Sequence, residues 1–521
     1  MKNKFQINGP SFLSDNSERN RFIYCLFVTF MLGLIAHAYA YFSGDFSHDS
    51  LSAIYAGVNE ENWKIALGRF FVPIYRSVIR GGIAFPWLIG MLSLFWIGLS
   101  VYLIVRVFGL ESKLAISVLA GILVTNLTVT AMTATFLYEL DIDMFALLCA
   151  TVAVYLWKHY SWGILPGMLF VTMTLGIYQS YFSVTITLII IASMCALLQK
   201  EPAQMVLLKG IQGIGMLVGG GIAYVISLNV LPRLTGIVLV DSYNGLSSLT
   251  ELSLSSMSDL IASAYKDWLQ IFLSPKATYM GEIVGIANWC LFVVTGILVL
   301  FVIITKTIKS MAKVIFVALF ALLPLGMNLS FILSGGMVHD LMRYAFWLFY
   351  FLVLLLVYWM YRSYDKIPIL PLAIKTAAYI FIFLILWNNI QVSNASYLKK
   401  DLEQQSTIAQ MCRVIDRLED IPEYVAGESP VVFVAQSQQA VTMSGFEEIS
   451  EITGMESSTA ITYNSFGMYK YYFDYLLNTP INLDAENWSR FQTEQRVDEM
   501  PAFPNMESIR ILDGIFVVKM G

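Results

Sequence analysis

Long apolar runs constrain this chain more than any other feature in it. A bilayer core needs about 20 consecutive apolar residues per helix, with a range of roughly 17–25. Runs of this kind lie at 22–42, 83–107, 114–135, 143–157, 163–178, 180–198, 206–231, 286–304, 314–333, 344–361 and 372–388, about eleven in all by that criterion. Two of them, 143–157 and 163–178, are short, and 163–198 reads equally as one broken hairpin. The chain is 57% hydrophobic and 13% charged, where soluble chains run near roughly 45–50% and about 25%. The fold class expected is therefore an α-helical polytopic membrane protein. The formal charge of −5 provides no basic stripe, so nucleic acid is not expected as a partner. The five cysteines form no CxxC or Cys/His ladder, which gives no ground for a disulfide or a thiolate metal site.

Loop charges set the expected orientation. With the N-terminus inside, bases such as Arg19, Arg21, Arg106, Lys113, Lys200, Lys209, Lys306 and Lys313 fall on the inner side, and acids outnumber bases in the outer loops. That bias requires an odd number of spans and puts the tail outside. "AHAYA" (36–40) has the small-residue spacing of a signal-peptide cleavage site, but the apolar run before it is too long, so a retained anchor is expected. The domains expected are an inner segment 1–21, a membrane domain 22–388 with outer loops at 43–82 and 232–285, and a small outer α/β domain 389–521. In the last, "PVVFVAQ" (430–436) reads as a buried strand. "IRILDGIFVVKM" (509–520) reads as a hairpin around Asp513-Gly514. "YKYYFDYLLN" (469–478) reads as a helix whose aromatic residues serve either as core or as a sugar-stacking surface.

Polar clusters gather on the expected outer side. "YFSGDFSHDSLSAIYAG" (41–57) holds Asp45, His48 and Asp49 where the chain leaves the first span. One reading makes them the cap and loop charges of a surface helix. The other makes them a general base and a hydroxyl-positioning group. "LGRFFVPIYRSVIRGG" (67–82) sets Arg69, Arg76 and Arg80 among apolar residues, to hold lipid head groups or to clamp a phosphate. "TFLYELDIDM" (135–144) carries Glu139, Asp141 and Asp143, either as helix-start acids or as ligands for sugar hydroxyls. "LGIYQSYFS" (175–183) places Tyr178 and Gln179 at a turn, and "SGGMVHDLMRYAF" (334–346) places His339 and Arg343 on one face if helical. His37 is the main ionisable residue within a span, so an ion pump or proton-coupled transporter is not the expectation.

Carboxylates and arginines at an outer interface suit transfer from a lipid-linked sugar. Outside the membrane there is no ATP, and a polyprenyl phosphate carries its sugar to that surface. The reaction needs a base for the acceptor hydroxyl and cations for the leaving phosphate. Phosphate leaves as an anion, so no general acid is required. A single displacement needs one essential carboxylate and inverts the anomeric centre. Retention needs two that flank the bond closely.

"FSHDSLSAIYAG … LGRFFVPIYRSVIRGG", followed by "FLYELDIDMFALL" and "LGIYQSYFSV", resembles the GtrII-type glucosyltransferase family, multi-span bacterial membrane enzymes of the GT-C class. The resemblance spans roughly residues 20–390 as a boundary guess. It implies a GT-C-like fold and an undecaprenyl-phosphate-linked donor, usually glucose. It also implies a surface polysaccharide acceptor and an active site on the outer face of the bacterial cytoplasmic membrane. In this class the key acid sits in the first outer loop, here Asp49 or Asp45. The class usually has these acids adjacent or nearly so; here Phe46, Ser47 and His48 separate them. Asp49 is the preferred base because it follows His48 and opens the surface helix. No cofactor is required by the motif spacing, although oxygen-rich clusters of this kind also suit Mg²⁺ or Mn²⁺. The competing functions are a lipid-linked-sugar flippase, which calls for a polar path across the membrane, and a polysaccharide polymerase or ligase, which calls for Arg/His clusters in a late outer loop.

Overall fold

The computed structural model describes residues 16–520 apart from 45–46, 48–49, 52–57, 83, 241–253, 275–281, 307, 363–368, 435–448, 453 and 456–465. Asp45, His48 and Asp49 thus lie outside the described residues. Among the described residues, nine helices are long and apolar enough to cross a membrane: Asn16–Ser43, Pro86–Phe108, Leu137–His159, Gln179–Leu198, Ala203–Thr235, Ile283–Ile304, Ser310–Met327, Tyr344–Tyr361 and Ile369–Glu419. A tenth forms if Lys113–Val124 and Leu127–Thr135, bent by 41°, count as one. The expected span 163–178 is the 14-residue helix Ile164–Ile177. At about 1.5 Å per residue it falls short of a core about 30 Å thick. This chain is a polytopic helical membrane protein.

Local chemistry sets the helix ends. Pro86 opens its helix at the first turn, and Gly109 closes it in the left-handed region. The bend in the 113–135 pair comes at Asn126, whose side chain caps the second half by accepting from the Val129 amide at 3.1 Å. The expected span 314–333 breaks at Asn328, after Pro324.

The helix Pro86–Phe108 packs between Asn16–Ser43 and Leu137–His159. A Cβ built on Gly90 would sit 2.5 Å from the Tyr41 ring, so a small residue is what allows this approach. Phe27, Leu165, Ile304 and Phe383 are exposed on outward faces, as lipid contact requires. His37 is a structural tie. One ring nitrogen lies 2.6 Å from the Tyr397 hydroxyl and the other 2.7 Å from the Val124 carbonyl, joining the first and last spans.

The last helix, Ile369–Glu419, runs 51 residues without a break. The apolar run 372–388 and the amphipathic run 394–420 form this one helix, which passes through residue 388. Beyond it lies a second hydrophobic core around a four-stranded sheet of order β2-β1-β4-β3, with β1 Pro430–Val434, β2 Asn482–Leu483, β3 Ile509–Leu512 and β4 Ile515–Lys519. β1 runs parallel to β2 and β4, and β3–β4 is an antiparallel hairpin. Asp513 and Gly514 turn it with φ of 54° and 83°. Tyr469, Tyr472 and Phe473 are core side chains, with Tyr469 stacked on Phe433 at 4.6 Å, so they present no sugar platform. Leu51 of the first loop joins this same core.

Arg496 and Arg490 both bind the Asp513 carboxylate and hold its pKa down at about 2. An unfolded aspartate titrates near about 3.9. The stabilisation is therefore complete above that value and lost as pH falls toward the folded one. Amide-exchange protection of residues 509–519, corrected for intrinsic rate, should fall over this acidic window in wild type. In Asp513→Asn the fall should be absent.

Candidate active site

Two short helices between the first two spans, Val58–Ala66 and Phe71–Ile79, lie against the start of the helix Leu137–His159. Their cations meet its acids. Residues 139 and 143 are one turn apart and share a face, while 141 points to the opposite side. Glu139 pairs with Arg76 and, at 3.0 Å, with Lys64. Asp141 accepts from Arg80 Nε at 2.8 Å and from the Tyr75 hydroxyl at 3.0 Å. The Trp96 indole N–H donates to that hydroxyl at 2.9 Å. Burial, and after it the Asp141 charge, push the Tyr75 phenol well above its ordinary value, so it remains a donor. Arg76 and Arg80 also lie over the Tyr138 ring, at 4.1 and 4.8 Å. All three acids are buried, and Arg76 is 0% exposed. These groups are neither helix-start surface acids nor lipid-facing arginines. Phe136 occupies the cap position of that helix.

Two charged groups in the cluster are engaged differently. The Arg69 guanidinium sits 4.4 Å above the Tyr178 ring, and its buried Nε has no hydrogen-bond partner. Among the described residues it pairs with no carboxylate. Asp143, 6% exposed, has no ion-pair or hydrogen-bond partner among the described residues. Tyr178 is the extended residue between the helix Ile164–Ile177 and the turn Gln179–Tyr181. Gln179 donates to the Leu67 carbonyl at 3.1 Å and the Tyr224 hydroxyl at 2.9 Å, which ties this turn to the strand of chain carrying Arg69.

Gly68 makes that approach feasible. Its φ is +76°, and a Cβ there would lie 2.6 Å from the Tyr224 hydroxyl. Gly68→Ala should cost about 1–3 kcal/mol in backbone strain and lower the thermal midpoint of the purified protein. An unchanged midpoint would show that the turn tolerates a side chain.

The second polar cluster is joined through rings. Tyr178 meets Tyr181 at 5.9 Å, and Tyr181 meets Tyr344 at 5.3 Å. Beside Tyr344, Arg343 bridges Asp340 at 2.7 Å and Asp267 at 2.8 Å. His339 is exposed and extended ahead of a 3-10 turn, so it and Arg343 do not share a helix face. Ser47, between Asp45 and His48, donates to the Thr135 carbonyl just before the acid-bearing helix. Among the described residues, no three His, Cys, Asp or Glu side chains group to hold a metal ion.

Sequence patterns missed Lys64, Tyr75, Tyr138 and Asp267. They also missed the buried Lys399 and Lys400, which donate to the Met455 and Ala134 carbonyls at 2.8 and 2.5 Å. The two lysines had one usable signal: two adjacent cations on an amphipathic helix, of which a single solvent face accommodates only one direction well.

A family model described as "Glucosyl transferase GtrII" matches residues 38–360. That interval contains every candidate residue from Asp45 to Arg343. Neither the curated proteins nor the solved structures include a match to the chain. With more than half its length matched, this chain belongs to the GtrII glucosyltransferase family.

Proposed function

We propose that the chain transfers glucose from a polyprenyl-phosphate donor to a hydroxyl of a surface polysaccharide, on the outer face of a bacterial cytoplasmic membrane. The observation that carries this reading is Arg69. In a glucosyltransferase it is a cation stacked on Tyr178 and held apart from the carboxylates that neutralise Arg76 and Arg80. A guanidinium kept in that state in a low-dielectric site suits a phosphate, which it binds bidentately. The opposite helix ends carry Arg106, Lys113, Lys158 and Lys209, which supports an outward-facing cluster.

The acceptor oxygen bonds to the anomeric carbon as the bond from that carbon to the phosphate oxygen breaks. The phosphate leaves with the electron pair, and Arg69 offsets its charge. The acceptor proton passes to a carboxylate, for which Asp49 is the proposed base and Asp45 the second candidate. One displacement inverts the anomeric centre. Ser47's bond to Thr135 supports a first loop lying beside the acid-bearing helix.

The test uses the full chain in proteoliposomes with radiolabelled undecaprenyl-phosphate glucose and a cell-wall glycan extract. Wild type should label the glycan, and Asp49→Asn should lose about 10²–10⁴-fold in rate, the usual worth of a general base. If both Asp49→Asn and Asp45→Asn transfer normally, the base lies elsewhere. If wild type moves the lipid across the bilayer without transfer, a flippase replaces this reading.

A further inference from the structure

We infer that Asp143 is the residue that grips the donor sugar, accepting hydrogen bonds from its ring hydroxyls while Arg69 holds the adjoining phosphate. This rests on the transferase reading above and deepens it.

The three acids differ in their partners. Glu139 is neutralised by Arg76 and Lys64, and Asp141 by Arg80 and Tyr75. Asp143 shares a face with Glu139, one helical turn further in, and is 6% exposed. Among the described residues it takes no hydrogen bond. A carboxylate buried without donors is costly, and a fold keeps one where a ligand supplies them. The groups around it indicate which ligand. Lys64 lies on the same face, paired with Glu139 one turn away, and the turn Gln179–Tyr181, which follows the Tyr178 ring that Arg69 stacks on, packs against the helix that carries Asp143. Ser180 of that turn has a buried hydroxyl with no partner. A cation for phosphate, a bare carboxylate and a spare hydroxyl together match a sugar phosphate. The sugar's hydroxyls donate to Asp143, and one of its oxygens can accept from Ser180.

The alternative roles make different predictions. A base at Asp143 would act on the acceptor and leave donor recognition unchanged. A purely structural Asp143 would affect every donor equally.

The experiment measures kcat/KM for wild type and Asp143→Asn with undecaprenyl-phosphate glucose and with its 2-, 3-, 4- and 6-deoxy analogues. In wild type, removing the hydroxyl that Asp143 grips should cost about 10- to 100-fold, the range for a hydrogen bond to a charged group. In Asp143→Asn that one penalty should shrink to within about threefold, with the other deoxy penalties unchanged, which is the signature of a direct contact in a double-mutant cycle. The inference is overturned if all four penalties persist unchanged in the variant. It is also overturned if the variant loses all donors equally, together with the acidic limb of the pH profile, since that marks a base. Should Asp143→Asn not fold, Asp143→Glu carries the same comparison, because its displaced carboxylate must change the same penalty. Wild-type transfer from the unmodified donor is the separate control. Its failure removes the transferase reading itself, whereas its success with unaltered deoxy penalties removes only the role of Asp143.

Discussion

Arg69→Ala should lower glucosyl transfer by about 10²–10³-fold in kcat/KM if Arg69 binds the donor phosphate, the loss expected when a preorganised partner of a developing anion is removed. The protein should still fold. Arg69 holds no carboxylate among the described residues, and what is lost structurally is one cation–π contact with Tyr178, worth about 0.5–2 kcal/mol. Arg69→Lys restores the charge but not the planar fork or the stacking, so it should recover only part of the rate. The same assay, run with purified variants at matched thermal midpoints, separates catalysis from folding. Wild-type rates in Arg69→Ala would remove the phosphate role.

Arg80→Ala has the larger effect on stability. Its guanidinium holds Asp141 from side chains that are 0% exposed on both partners, and it also donates to the Tyr138 carbonyl at 2.6 Å. Removing it strands a buried carboxylate, at a cost of about 3–5 kcal/mol. The paired replacement Arg80→Met with Asp141→Leu removes both charges and should recover most of that loss, because an ion pair bought at full desolvation adds little over well-packed apolar groups. Thermal unfolding in detergent reads both. If the single and double variants unfold alike, the pair does not act as a unit.

Much of the membrane part could be read from sequence because apolar length is a one-dimensional signal. The runs at 22–42, 83–107 and 206–231 correspond to the helices Asn16–Ser43, Pro86–Phe108 and Ala203–Thr235. Interruptions were harder. The run 114–135 is apolar enough on average to hide the 41° bend at Asn126, and the short run 163–178 forms only the 14-residue helix Ile164–Ile177. The hairpin at Asp513-Gly514 was legible because its turn chemistry is local. The site was legible only by residue type. Arg69, Arg76 and Arg80 look alike in the sequence, yet two neutralise acids and one does not. Arg76 and Arg80 reach acids of the helix Leu137–His159 while Arg69 stacks on Tyr178 of another turn, and this is a tertiary fact. The contribution of Lys64 was invisible for the same reason: nothing within its own helix marks it as a partner of Glu139.

The unbroken helix Ile369–Glu419 has a mechanical consequence. At 51 residues it is a rod about 75 Å long, and it carries the sheet domain the way a shaft carries a gear. Each residue inserted into such a rod turns everything beyond it by about 100°. Tyr397, Lys399 and Lys400 grip the membrane part and the 455 loop near its midpoint, so the angular setting of the far end is keyed to them. The domain's angular setting about the helix axis is thereby fixed by residue count, and a single insertion between Lys400 and Met411 would rotate its face out of alignment without breaking a strand.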